Sequence, residues 1–204
     1  MKNEYVNFTP GTLLCPTPVV LVSCADQENP QKKDMVTLAW AGTINSEPPM
    51  VSVSIRKERY SHGMILNSGE FVINLVDEDM CKATDFCGVR SGRDVDKAKE
   101  TGLHYCTAEG METAPAVEEA PASLSCKVRQ VIELGSHDMF LAEIVAIRIR
   151  QDLLDGKGSL HMEKARLIAY SHGLYQKLGE VMGFFGWSVA REEVLERRMQ
   201  EYRG

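Results

Sequence analysis

The chain has 204 residues, which is room for one full domain and short for two. It is 44% apolar, enough to fill a core, and 25% charged, so it is neither a disordered nor a fibrous composition. Twenty-three Lys and Arg against 29 Asp and Glu give a net charge of −6, which excludes a chain-wide basic footprint for nucleic acid. No stretch approaches the roughly 20 apolar residues of a membrane span. Met1 to Pro10 shows no apolar run behind a basic start, so a cytoplasmic protein is expected.

The first apolar run, Val19-Val20-Leu21-Val22, is β-branched and bounded by Pro16 and Pro18, and reads as a strand. Met35 to Ala41 reads as the next strand. Glu47-Pro48-Pro49 then forces an extended or turning backbone. From Met50 to Ile55, Val51, Val53 and Ile55 share one face while Ser52 and Ser54 share the other, a period of two. Tyr60 to Asn67 reads as a short helix closed by Gly69, and Glu70 to Leu75 as a strand.

Asp77 to Phe86 reads as a helix with acidic residues in its first turn, and Asp94 as the start of another through Lys99. Glu109 to Pro121 reads as a connection. Ser123–Leu134 and Asp138–Arg150 read as long strands joined by a hairpin at Gly135-Ser136-His137-Asp138. Leu167 to Tyr170 reads as a last strand. Ser188 to Tyr202 reads as a charged C-terminal helix with Leu195, Met199 and Tyr202 on one stripe. Tyr170 with Tyr175, and Phe184-Phe185 with Trp187, read first as core packing, the alternative being cover for a site or for an interface between copies. A single domain of many short strands with helical additions indicates a mainly β fold, a barrel, rather than βαβ alternation.

Familiar motifs are missing. No Gly-x-Gly-x-x-Gly follows a strand, and no Walker A, His-Glu-x-x-His or Gly-x-Ser-x-Gly sequence occurs. Cys15, Cys24, Cys81, Cys87, Cys106 and Cys126 form no Cys-x-x-Cys pair, so free and mostly buried thiols are expected. His104, His161 and His172 are scattered without ligand spacing, and no metal site is predicted.

The densest chemistry runs from Thr37 to His62, where hydroxyls, an amide and cations follow two strands and begin a helix. Such groups suit a phosphate. A solvated strand end would carry the same residue types.

Several ordered pieces together resemble flavin reductase-like proteins of the flavoredoxin type. They are Pro18-Val19-Val20-Leu21-Val22, Thr37-Leu38-Ala39-Trp40, Asn45-Ser46-Glu47-Pro48-Pro49, Ser54-Ile55-Arg56-Lys57 with Tyr60-Ser61, Gly69 to Leu75 and Ser91 to Lys97. The resemblance covers Phe8 to Val189 and implies a split β-barrel that binds FMN without covalent attachment, as a homodimer. It implies electron exchange with NAD(P)H or with a redox partner protein. A non-enzymatic FMN electron carrier, the same barrel acting on another substrate, and a barrel without cofactor are the rival readings.

By that resemblance Thr37, Leu38, Ala39 and Trp40 line the flavin ring, and Thr43, Asn45 and Ser46 continue the wall. Ser54, Arg56, Tyr60 and Ser61 hold the phosphate end, with His62 a further candidate. Cys87, Gly88, Ser91 and Lys97 close over the flavin or reach its phosphate. His137 is the candidate where a nicotinamide approaches, the alternative being an exposed turn histidine. Cys87 is either a thiol near the flavin or a packing group.

Overall fold

The computed structural model describes residues 4–203. In chain order the elements are β1 (Thr17–Pro18), β2 (Val20–Ala25), β3 (Lys33–Leu38), β4 (Ala41–Asn45), β5 (Met50–Arg56), α1 (Tyr60–Ser68) and β6 (Glu70–Leu75). Then follow α2 (Cys81–Val89), α3 (Lys97–Thr101), β7 (Tyr105–Cys106), β8 (Ala116–Val117), β9 (Ala122–Glu133) and β10 (His137–Ile149). The chain ends with β11 (Ile168–Ser171), β12 (Leu174–Lys177) and α4 (Glu192–Arg203).

One antiparallel sheet of seven strands, in the order β3-β2-β6-β9-β10-β5-β4, forms the body. Its end strands β3 and β4 do not pair with each other, so the barrel is split rather than closed. A small sheet, β1-β11-β12, flanks it, and β7-β8 form a ribbon. No helix among the described residues is long and apolar enough to cross a membrane.

The alternation in β5 buries Val51, Val53 and Ile55 in the barrel with Val22, Val36, Phe71 and Phe140. Met64 and Ile65 of α1 join this interior from one end. Strand β2 is buried at every position because both of its faces are covered. Val20, Val22 and Cys24 point to the barrel, whereas Val19, Leu21 and Met35 pack outside it against Val76, Met80, Cys87 and Leu103. A continuous apolar run is the signature of such a doubly covered strand.

A polar network ties the layers together. Asn74 Nδ2 donates to Leu21 O at 3.0 Å and to Ser23 Oγ at 2.8 Å, and its Oδ1 accepts from Val117 N at 2.8 Å and Ser123 Oγ at 2.9 Å. The buried Glu70 carboxylate accepts the amides of Glu112 and Thr113 at 3.0 Å. The connection over 109–121 is therefore pinned to the sheet, with Ala114, Ala116, Val117 and Ala120 buried.

Several boundaries differ from expectation. Helix α2 begins at Cys81, because the Asp77 carboxylate turns the chain first, accepting from Asp79 N and Met80 N at 3.1 Å. Helix α3 begins at Lys97 and is capped by Asp96, not Asp94. Ala41–Asn45 is a strand of its own, and β12 follows the expected last strand after a tight turn at His172-Gly173. Residues Trp187–Val189 form a 3-10 turn, so α4 is shorter at its start, with Leu195, Met199 and Tyr202 half-buried. Phe185 and Trp187 remain exposed rather than joining a core.

Candidate functional site

A cleft with a cavity volume of about 330 Å³ lies on the outer side of the barrel wall, beside the β3–β4 connection. Thr37 and Leu38 of β3 and the following Ala39-Trp40 form one wall, and Ser54 and Arg56 of β5 another. The wall is set locally, since Trp40 O accepts the amide of Ser54 at 2.9 Å and so fastens the β3–β4 connection to β5. His137 stands opposite Arg56 in the β5–β10 register. Tyr170 and Tyr175 meet edge to face at 5.7 Å on the remaining side. Gly88 completes the floor. A Cβ there would lie 3.2 Å from Thr37 Cβ, so glycine permits the close approach of α2 to β3. Thr37 Oγ1 also donates to Thr84 O, closing the same contact.

The imidazole of His137 is within hydrogen-bond distance of Ser136 Oγ through Nδ1, at 2.9 Å. Partial burial and the nearby Arg56 guanidinium hold its pKa below the ordinary value. Both influences favour the neutral imidazole of His137.

A second cleft, of about 290 Å³, adjoins the first and shares Arg59 with it. It lies at the start of α1, whose N-terminus has no side-chain cap. Tyr60 and Ser61 form one side, Arg90, Ser91 and Arg93 the other. The Ser61 hydroxyl is buried and has no hydrogen-bond partner among the described residues. Arg59 donates through Nη1 to Gly88 O at 2.8 Å, and Arg93 donates through Nη1 to Glu58 O at 3.0 Å. Free helix amides, an unpartnered hydroxyl and three guanidinium groups are groups that can hold an anion, with the Glu58 carboxylate lining the same cleft.

The floor of this second cleft is an ion pair. Lys97 Nζ lies 3.0 Å from Asp34 Oδ1 and donates to Met35 O at 2.7 Å. Both side chains are almost fully buried, at 3% and 2% exposure. Burial pushes the Asp34 pKa up, against the pull of Lys97. Gly92 sits directly over the pair, and a Cβ there would come within 2.4 Å of Asp34 Oδ1 and 2.8 Å of Tyr60 Cδ1.

Of the residues expected in the site, Thr37, Leu38, Ala39, Trp40, Ser54, Arg56, Gly88 and His137 meet in the first cleft. Tyr60, Ser61, Ser91 and Lys97 meet in the second. Lys97 differs from expectation, since its ammonium is turned onto Asp34 and is not a free phosphate ligand.

The other expected residues line neither cleft. Thr43, Asn45 and Ser46 are exposed on β4 and its turn, where Asn45 Nδ2 donates to Pro48 O at 2.8 Å. His62 is turned inward, with Nε2 2.8 Å from Asp138 Oδ2 and its ring edge-on to Phe140. Cys87 is fully buried behind β3, and that burial pushes its thiol pKa up to about 12. It is a packing thiol. Among the described residues no three His, Cys, Asp or Glu are grouped to hold a metal.

Arg59, Arg90, Arg93 and Val19 enter the site without having been assigned to it. Arg59 was within reach, since it directly precedes the helix start at Tyr60. Its neighbour Lys57 instead turns away to Glu133 and Asp138, at 2.7 and 3.3 Å.

Two outcomes follow from these geometries. Lys97→Met leaves the Asp34 carboxylate buried without its counter-charge and costs about 3 kcal/mol in a denaturant titration, most of it recovered by adding Asp34→Asn. A single variant as stable as the native chain contradicts the pair. In a proton NMR titration His137 has its midpoint below the ordinary value of about 6.5, while His104, bonded to Glu119, has its midpoint above it. A midpoint for His137 at or above that value contradicts its placement beside Arg56.

The chain is similar to the flavoredoxin of Desulfovibrio vulgaris (Miyazaki F), with TM-score 0.84 and 27% identity over 92% of this chain and 100% of that one. It is similar to an FMN-binding protein from Thermus thermophilus, with TM-score 0.72 and 25% identity over 89% of this chain and 98% of that one. It is 28% identical to the reductase component of a 4-nitrophenol 4-monooxygenase/4-nitrocatechol 2-monooxygenase from Rhodococcus opacus, over 53% of this chain and 55% of that protein. The first curated relatives are matched over between 46% and 84% of their own lengths. The model of the flavin reductase like domain matches residues 12–178, and the chain therefore belongs to the flavin reductase-like family.

Proposed function

We propose that this protein binds FMN non-covalently and passes electrons between that flavin and NAD(P)H or a redox partner protein. The observation that carries the reading is the pair of adjoining clefts joined at Arg59. One is lined by strand backbone and aromatic rings, the other by guanidinium groups around the unpartnered Ser61 hydroxyl. A flat heteroaromatic ring joined by a short polar chain to a phosphate has that same division.

The residues fit such a group. Arg59 and Ser61, with the free amides at the start of α1, would hold the phosphate by charge-assisted bonds. Ser54 and Arg56 flank the path between the two clefts. The backbone over Leu38 to Trp40 supplies fixed polar groups along the ring edge, with Trp40 and the tyrosine pair as apolar cover. When bound, FMN supplies the hydride and electron chemistry, and the protein supplies position and electrostatics. His137 borders the same cleft as a neutral imidazole, ready to orient an arriving nicotinamide through a hydrogen bond without adding charge.

The reading includes a homodimer. Apolar side chains in the N-terminal segment (Phe8 at 83% exposure, Leu14 at 86%) and in the C-terminal one (Met182 at 86%) find no cover within the chain, and a second copy would supply it.

The test is an anaerobic titration of the purified protein with FMN, followed by NADH and NADPH. The expected result is bound flavin whose absorption is bleached rapidly by one of the two. Arg59→Ala is expected to weaken FMN binding by about 1.5–3 kcal/mol, as for loss of a hydrogen bond to a charged group. Bound flavin left oxidised by both nucleotides would favour an electron carrier reduced by a protein. No binding of FMN would refute the reading.

A further inference from the structure

His137 is the first residue of β10, at the end of the ladder with β5 and one residue beyond the ladder with β9. Leu134 N donates to His137 O at 2.9 Å and closes a tight turn at Gly135-Ser136. Strand ends beside turns open most readily, so a side chain placed there needs fastening from elsewhere. The pleat sends neighbouring residues to opposite faces. His137 borders the first cleft, while Asp138 shares its face with Phe140 and Ala142 of the barrel interior.

The buried Asp138 carboxylate is gripped from α1. His62 Nε2 lies 2.8 Å from Asp138 Oδ2, and the two side chains are 10% and 8% exposed. The His62 ring stands edge-on to Phe140 at 5.4 Å. Lys57 Nζ lies 3.3 Å from Asp138 Oδ1, but it is half exposed and is shared with Glu133 at 2.7 Å. Burial alone would raise the Asp138 pKa; the bonds from His62 and Lys57 outweigh it and hold the carboxyl below its ordinary value. An ionised carboxylate only accepts, so Nε2 of His62 carries a proton. His62 lies in the first turn of α1, and its own amide donates to Arg59 O at 3.1 Å. The strand end that carries His137 is thus tied to a helix by a buried bond.

We infer that His62 is a positioning residue for His137: by donating to Asp138 from inside the barrel, it fixes the end of β10 and so the imidazole on the cleft side. The inference rests on the reading of His137 as the group that meets a nicotinamide. Site groups keep their geometry when the groups behind them are locked by packing and hydrogen bonds. Without the His62 donor, Asp138 is left to the exposed Lys57, the strand end loosens, and His137 leaves its place beside Arg56.

The test compares the native full chain with His62→Phe, which keeps a ring against Phe140 without the donor, and with His62→Gln, which keeps an N–H for Asp138. In a proton NMR titration without flavin, the His137 midpoint is expected to rise from its lowered native position to about 6.5 in His62→Phe and to stay low in His62→Gln. Arg56 and Glu58 are the charged groups facing His137, and both variants retain them. With FMN bound, bleaching of the flavin by the reducing nucleotide is expected to slow about tenfold or more in His62→Phe, as for a misplacement of about 1 Å or less. His62→Gln is expected to recover the rate, and FMN affinity to be unchanged in both. A folded His62→Phe that keeps either the native midpoint or the native rate overturns the inference. In the native chain, a long-range proton–nitrogen spectrum is expected to show a proton on His62 Nε2. A proton on Nδ1 alone overturns the inference whether or not the variants fold. Bound FMN that neither NADH nor NADPH reduces overturns the nicotinamide role of His137, while the two NMR readouts still decide whether His62 positions it.

Discussion

The buried pair of Asp34 and Lys97 is the contact on which the site depends. Two opposite charges are removed from water almost completely, at a cost that their attraction offsets only when both are present. The pair fastens the start of α3 to β3. The loop over 90–96 is thereby drawn across the start of α1, where Gly92 allows it to lie against Asp34 and Tyr60 without collision. Arg90 and Arg93 line the same cleft as the unpartnered Ser61 hydroxyl because that loop is held there. A loop position is thus fixed over the second cleft by a pair of charges beneath it.

The second constraint is the burial of β2 and β3 on both faces. The barrel interior takes one face and the layer of α2, α3 and β11 takes the other. Only the ends of these strands can then offer groups to a ligand. Beside the split between β3 and β4 the chain does this with backbone, through the turn from Leu38 to Trp40, and with the outer face of β5 at Ser54 and Arg56. The same layering explains Cys87: its thiol is one residue from the cleft in sequence, yet it faces the packed side of β3.

Much of this was legible in the sequence where a single physical signal dominates. The alternation in Met50–Arg56, the unbroken apolar run in β2, and the left-handed Gly69 and Gly135 mark elements that tertiary contacts did not override. Strand β4 was hidden because Ala41–Asn45 is an exposed edge with no buried face to set a period. The start of α2 was misplaced because Asp77 looks like a first-turn residue, while its carboxylate organises the preceding turn and its backbone bridges to Leu167. In the site, the strand residues and the helix start were legible from the family's ordered motifs. The roles of Lys97 and His62 were not, because each is claimed by a buried carboxylate distant in sequence, Asp34 and Asp138. A cation or an imidazole in a motif carries no mark of which partner it will turn toward.

A crystal structure of the protein grown or soaked with FMN would decide whether the flavin lies across the two clefts as proposed. Phosphate density is expected within hydrogen-bond distance of Ser61 Oγ and the Arg59 guanidinium, with the ring along Leu38 to Trp40 and Lys97 still on Asp34. A flavin bound with its phosphate away from Ser61, or with Lys97 withdrawn from Asp34 to hold it, would rule out this placing.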